Sequence, residues 1–134
     1  ESYFITMDTS IFKAYDIRGR YPGELNEETA AAVGRTLAKH WRSGKIVVAH
    51  DARLSSPMLY AAVIEGLMEN SGLEIEKIDL ATTPMFYFLV NEFKAIGGVM
   101  VTASHNPKEF NGLKIVGPLA ALISGKDVLA MMQK

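Results

Sequence analysis

The strongest constraint on the fold of this chain is a repeated switch between two apolar periodicities. Ala30, Val33, Gly34, Leu37, Ala38 and Trp41 recur at helical spacing, and Gly44 ends the run. Asn26 takes the N-cap position, and the charges of Glu27 and Glu28 suit the positive helix end. Ile46-Val47-Val48-Ala49 is then apolar without interruption, as a strand covered on both faces should be. Ser56-Pro57 supplies a cap-then-proline start to a second helix, with Leu59, Ala62, Val63, Gly66 and Leu67 inward and Gly72 at its close. Glu74 to Leu80 is predicted as a strand, and Thr83-Pro84 opens a third helix through Phe86, Leu89, Val90 and Phe93. Gly97 to Val101 and Leu113 to Val116 are the last strands, and Phe12 to Ile17 is an extended lead-in. Gly34, on the apolar stripe, predicts close approach to a sheet.

Alternation of this kind puts helices on both faces of a largely parallel sheet. The link from Val101 to Leu113 is too short for a crossover helix, so the last strand should run antiparallel to its predecessor. The expected fold class is α/β, a three-layer α/β/α arrangement with a mixed, mostly parallel sheet of about four strands. A chain of 134 residues, 49% of them hydrophobic, buries one core. Near the end, Ser124 and Asp127 are spaced as a capping box, and Val128, Leu129 and Met132 begin an apolar stripe. That helix has room for about two and a half turns, which is marginal unless something packs on it. The apolar run Leu119-Ala120-Ala121-Leu122-Ile123 precedes it. Such an ending fits a cut through a larger protein or a terminal helix docked in a complete domain. The first residue is not Met, so an excised or processed product is expected, with Met7 a candidate natural start.

Charge and residue usage exclude several function classes. The net charge is -1 with both signs spread along the chain, which argues against a nucleic-acid surface and an electrostatic membrane anchor. There are no cysteines, so disulfides, thiolate metal sites and cysteine nucleophiles are excluded. No apolar stretch is long enough to span a bilayer, and residues 1–6 form neither a signal peptide nor a transit segment.

Three polar segments carry candidate chemistry. Thr102-Ala103-Ser104-His105-Asn106-Pro107 places a serine hydroxyl directly after the strand ending at Val101; on these six residues alone, a polar turn is the favoured reading. His105 is the neighbour of Ser104, so in extended backbone its side chain points away and a Ser-His relay is disfavoured. Asn106 precedes Pro107, which stiffens the loop. Lys114 should lie on the opposite strand face from Leu113 and Ile115, either as a snorkelling edge residue, the commoner case, or as a functional cation. In the lead-in, Tyr15, Asp16 and Arg18 stand beside Gly19; Arg18 could clamp an anion or form a surface pair with Asp16. Asp51-Ala52-Arg53 is read first as an ion pair tying two loops. Serine, lysine and arginine without a recognisable triad suit phosphate chemistry better than acyl transfer, and neither His40 nor His50 sits at a catalytic spacing.

Phe12 to Gly19, Asp51-Ala52-Arg53-Leu54-Ser55-Ser56, and Thr102 to Lys114 closely resemble the first domain of the α-D-phosphohexomutases, in particular the bacterial phosphomannomutase/phosphoglucomutase branch. The resemblance runs from about Ile11 to Met132. It implies that residues 11–134 are the phosphoserine domain, cut before the metal-loop domain, behind a disordered or tag-like lead of residues 1–10. It implies that Ser104 carries a phosphoryl group and binds Mg²⁺ through it, and that His105, Lys114 and Arg18 act in catalysis. Tyr15, Arg18, Asn106 and Lys114 fall on substrate-binding positions. Ala-Tyr-Asp-Ile-Arg-Gly in the lead-in, rather than Thr-Asp-Gly-Ile-Arg-Gly, favours hexose over aminohexose substrates. Two departures stand out: Ala49 where relatives commonly carry glycine, and no Asp-Gly-Asp-x-Asp-Arg metal loop.

The implied partners are hexose phosphates and the missing domains of the same protein, with no nucleic acid and no membrane, in the cytoplasm. The implied reaction is reversible interconversion of hexose 1- and 6-phosphates through a bisphosphorylated sugar, with the isolated chain inactive. The alternatives are a stand-alone phosphosugar-binding module and a folding fragment with an exposed interface at Leu119 to Ile123.

Overall fold

A computed structural model of the chain describes residues 7–134. Its first element is a 3-10 turn, Thr9–Ile11, capped by Asp8, whose Oδ1 accepts from Ser10 N at 3.0 Å and Ser10 Oγ at 2.6 Å. Of the expected lead, residues 1–6 lie outside the described residues, and Met7 packs against the core.

The elements in chain order are β1 (Ile17–Arg20), α1 (Glu27–Trp41), β2 (Gly44–His50), α2 (Ser56–Leu67), β3 (Leu73–Leu80), α3 (Thr83–Glu92), β4 (Gly97–Val101), β5 (Phe110–Val116), β6 (Leu122–Ile123) and α4 (Gly125–Met132). They form a six-stranded sheet of order β1-β5-β4-β2-β3, with β6 on the free part of β5. β3, β2 and β4 pair in parallel, and β5 runs antiparallel to β4, as the short link requires. The expected strand number of about four is corrected to six. The two additional strands, β1 and β6, are short, and both pair antiparallel with β5. β1 alternates one buried apolar residue with arginines, and β6 has two residues, so neither carries a long apolar run.

Both faces of the central strands are covered, by separate cores. Ile46, Val48, Val99, Val101, Leu113 and Ile115 face a larger core completed by α1, α2 and Val128 of α4. Val47, Ala49, Met100 and Val116 face a smaller core under α3, built around Phe86 and Val90. Helix α4, short as it is, is anchored by buried Val128 and by a capping box in which Ser124 Oγ accepts from Asp127 N and Asp127 Oδ2 accepts from Ser124 N, both at 3.0 Å.

Two local expectations change. Ser56 is the first helical residue of α2 rather than its cap, and Ser55, at the cap position, makes no capping bond. The hydroxyls of both are engaged elsewhere, as described below. Gly34 approaches a helix, not the sheet: a Cβ at Gly34 would collide with Val63 O, and one at Gly66 with Ala31 O. The two glycines let α1 and α2 touch backbone to backbone, which their common position on the larger core demands.

This contact inverts an ordinary helix rule. Mid-helix Gly→Ala gains about 1 kcal/mol of helix propensity, but the crossing has no room for a methyl group. Gly34→Ala is expected to destabilise the chain by about 1–3 kcal/mol, measured by urea denaturation; an unchanged or raised midpoint would refute the packing account.

Candidate functional site

The site grows from the half of the sheet that α3 leaves uncovered. Helix α3 packs on β2 and β4. Along β1 and β5 the side-chain alternation sends Ile17, Leu113 and Ile115 into the larger core, so Arg18 and Lys114 stand on the other face. Arg18 pairs in register with Gly112, and Lys114 with Met100. A Cβ at position 112 would come within 2.5 Å of Ile17 O and 2.8 Å of Thr102 O, so only glycine lets the three strand segments meet there.

Between the two cations lies a carboxylate. Asp16 is 3% exposed, and its Oδ2 accepts from Arg18 Nη2 at 2.7 Å and lies 3.6 Å from Lys114 Nζ. A buried carboxylate needs such partners, because removal from water without them is expensive. Two cations on one anion leave a net positive charge. The other end of Arg18 reaches the serine loop: Nη1 donates to Asn106 Oδ1 at 2.7 Å, and Nε is buried with no partner. Of the five N–H groups of that guanidinium, two are engaged among the described residues, those in these bonds.

The serine loop rises from the end of β4. Thr102 N donates to Gly112 O at 2.9 Å, Ser104 N donates to Thr102 Oγ1 at 3.0 Å, and Asn106 N donates to Ala103 O at 3.1 Å. Ser104 is exposed with φ +56°, a left-handed conformation that costs a non-glycine residue about 1–3 kcal/mol. Its hydroxyl makes no hydrogen bond among the described residues. His105 beside it is exposed and likewise unbonded among them.

Arg53 contrasts with Arg18. Its Nη1 donates to Pro107 O at 2.8 Å and Phe110 O at 3.1 Å, and its Nη2 to Ser104 O at 2.9 Å and Asn106 O at 2.7 Å. Nε lies 3.4 Å from Asp51 Oδ2. All four terminal N–H groups are hydrogen-bonded and Nε faces a carboxylate, so Arg53 has no terminal donor free for a ligand. The favoured reading of Asp51-Ala52-Arg53, an ion pair tying two loops, agrees with this geometry.

The structure thus joins Arg18 and Lys114 around Asp16, ties Asn106 to Arg18, and sets Ser104 two residues from Asn106 on the same loop. It does not join Tyr15 to them: that side chain is 73% exposed in the turn before β1 and makes no hydrogen bond among the described residues. His50 is held apart as well. Its Nδ1 lies 2.7 Å from Asp51 O, and its ring packs edge-on against Tyr60, whose phenol burial pushes up to about 12. Sequence reasoning left Asp16 and Arg53 outside the candidate site residues. The signal for Arg53 was the spacing itself, since Asp51 Oδ1 accepts from Arg53 N at 3.0 Å in an Asx turn.

Among the described residues no group of three or more His, Asp or Glu side chains could hold a metal ion. Asp16, the carboxylate at the site, already faces two cations, so these residues do not by themselves make a Mg²⁺ cage. A cavity of about 400 Å³ lined by Tyr21, Arg53, Ser55, Met58, Lys108 and Glu109 lies beside the serine loop, and one of about 410 Å³ lined by Arg35, Lys39, Arg42 and Asn70 lies at the opposite end of the parallel strands. No helix among the described residues is long and apolar enough to cross a membrane.

Fold and site define an α/β/α domain that presents a serine on a loop gripped by an arginine of β1. Residues 9–132 match the sequence model of the phosphoglucomutase/phosphomannomutase α/β/α domain I, and the chain belongs to that family. It is 50% identical over 118 residues to a protein named phosphohexose mutases from Xanthomonas campestris pv. campestris (strain B100), covering 88% of this chain and 26% of that protein. It is 44% identical to a Klebsiella pneumoniae phosphomannomutase, covering 92% of this chain and 78% of the relative. A crystal structure of a phosphoglucomutase/phosphomannomutase family protein from Burkholderia thailandensis superposes with a TM-score of 0.80 at 31% identity, over 95% of this chain and 30% of that one. The chain therefore spans about a quarter of the length of its Xanthomonas relative.

Asp16→Asn keeps the size of the side chain but removes the charge facing Arg18 and Lys114. The expected cost is about 1–3 kcal/mol of stability, read by denaturant titration. A stability change within error would show that the carboxylate does not hold the cluster.

Proposed function

We propose that this chain is the phosphoserine-bearing domain of a phosphomannomutase/phosphoglucomutase, which interconverts hexose 1-phosphate and hexose 6-phosphate through a bisphosphorylated sugar. One observation carries the reading: an unengaged Ser104 hydroxyl shares its loop with Asn106, which is gripped by an arginine that keeps three N–H groups unengaged. A phosphoryl group on Ser104 would find cationic donors close by without displacing an existing bond.

In the transfer, phosphorylated Ser104 meets the free hydroxyl of a hexose phosphate. The Ser104 Oγ–P bond breaks, the sugar O–P bond forms, and the hydroxyl proton ends on Ser104 Oγ. The bisphosphorylated sugar turns over, and its other phosphoryl group returns to Ser104 by the same exchange in reverse. Arg18 and Lys114 offset charge on the phosphoryl oxygens and steer the group, which is where most of the rate in such chemistry arises. Arginine stays protonated, so Arg18 is no proton carrier; Lys114 and His105 are the candidates for that relay. Asn106 and the exposed Tyr15 are assigned to the sugar phosphate.

Mg²⁺, held through the phosphorylated serine with its remaining ligands from outside this chain, would offset further charge. The domains that complete the longer relatives would supply those ligands and close the site in the cytoplasmic enzyme. Without those ligands and covering domains the site cannot orient a sugar or exclude water, so the chain alone should be inactive.

Conversion of glucose 1-phosphate to glucose 6-phosphate by the isolated chain, with Ser104→Ala as control, is expected to stay at the level of the control; serine-dependent turnover would refute the inactivity. Replacing the matched stretch of the Xanthomonas relative with this chain should give an active chimera that loses activity with Ser104→Ala. A chimera that keeps its activity without that hydroxyl would sink the reading of Ser104.

A further inference from the structure

The serine loop is gripped from two sides by arginines with opposite donor states. Arg18 holds one side chain of the loop, Asn106, and keeps donors unengaged; Arg53, 15% exposed, has all four terminal N–H groups on the loop backbone and Nε facing Asp51. We propose that Arg53 is a positioning residue for phosphoryl transfer at Ser104, fixing the serine backbone in its left-handed conformation without touching substrate. The inference rests on the reading of Ser104 as the phosphoryl carrier.

Four carbonyl groups, of Ser104, Asn106, Pro107 and Phe110, converge on one guanidinium. Their oxygens repel one another unless a cation stands between them, so the curl of residues 104–110 depends on that charge. The planar fork of arginine places two donors on each terminal nitrogen, matching the two pairs of carbonyls. Lysine, with its charge on one nitrogen, cannot span them.

Arg53 is itself held by a circuit that closes on the loop. Asp51 Oδ1 accepts from Arg53 N at 3.0 Å and from Ser56 Oγ at 2.5 Å. Asn111 Nδ2 donates to Ser56 Oγ at 2.9 Å and to Ser55 Oγ at 2.8 Å. Asn111 is fully buried at the start of β5, where the loop ends. The end of β2, the start of α2 and the start of β5 thus set where Arg53 points, and Arg53 sets where Ser104 points. This accounts for the two serine hydroxyls at the start of α2 that do not cap the helix.

The test is a spectroscopic comparison of the chain with its Arg53→Lys and Arg53→Ala variants. The three-bond amide–Hα coupling and carbon shifts of Ser104 report its φ, and hydrogen exchange is read at Asn106 and Phe110 against Val47 and Val99 in the sheet. Both variants are expected to lose the left-handed signature at Ser104, and the loop amides to exchange roughly tenfold faster or more, while the sheet amides stay within about twofold. Guanidinium ion at low concentration should restore the signature in Arg53→Ala, and ammonium should not. A left-handed Ser104 in Arg53→Ala, or parental behaviour in Arg53→Lys, would overturn the proposal. Should Arg53→Ala not fold, Arg53→Lys decides alone by the same readout. Loss of the loop signature together with a chimera indifferent to Ser104→Ala would leave Arg53 as a loop clamp and remove its link to phosphoryl transfer.

Discussion

The parallel pairing of β2 with β4 is the constraint on which the rest of the structure depends. Parallel neighbours need crossover connections, the crossovers here are helices, and helices on both faces leave the middles of β2 and β4 no solvent-exposed side. Polar groups can then stand only where strands end or where helix cover stops. Both openings meet at one corner, with the serine loop at the end of β4 and the uncovered β1/β5 face beside it. β5 joins them, because its antiparallel return from the loop brings Gly112 and Lys114 back beneath it.

Electrostatics at that corner follow from counting donors rather than from proximity alone. One buried carboxylate faces two cations, which leaves excess positive charge without a metal ion. One arginine is saturated by backbone carbonyls and serves the loop; the other is under-used, with a buried Nε lacking a partner. An unpartnered buried donor is costly in a finished core, and here it belongs to the arginine that grips Asn106 of the serine loop. The same geometry explains why serine hydrolase chemistry fits poorly, since His50 is tied to Asp51 O and packed on Tyr60.

Exposed apolar side chains are the counterpart of this open corner. Leu54, Leu80, Phe88 and Leu119 are 95%, 64%, 58% and 85% exposed, more than a lone surface leucine would explain. Leu119 stands in a 3-10 turn, Pro118–Ala120, that contacts α3, so the run from Leu119 to Ile123 is divided. Ile123 tucks against the larger core, while Leu122 stays half exposed.

Much of the architecture was legible because helices and covered strands impose periods on the sequence. The boundaries of α1 and α3, the antiparallel turn into β5 and the capping box of α4 follow from local rules that a chain obeys wherever it is packed. The face of Lys114 was also legible, since alternation along a strand is fixed by the pleat. What local rules cannot carry is which distant groups meet. β1 and β6 exist only because β5 offers them an edge, Gly34 touches a helix rather than the sheet, and the serines opening α2 turn to Asn111 and Asp51 instead of capping. The sequence by itself determined the order of elements and the chemical types at the loop. Only the tertiary structure decided that Asp16 serves two cations and that Arg53, not Arg18, is saturated, because donor saturation depends on carbonyls some fifty residues away along the chain, brought together by the sheet.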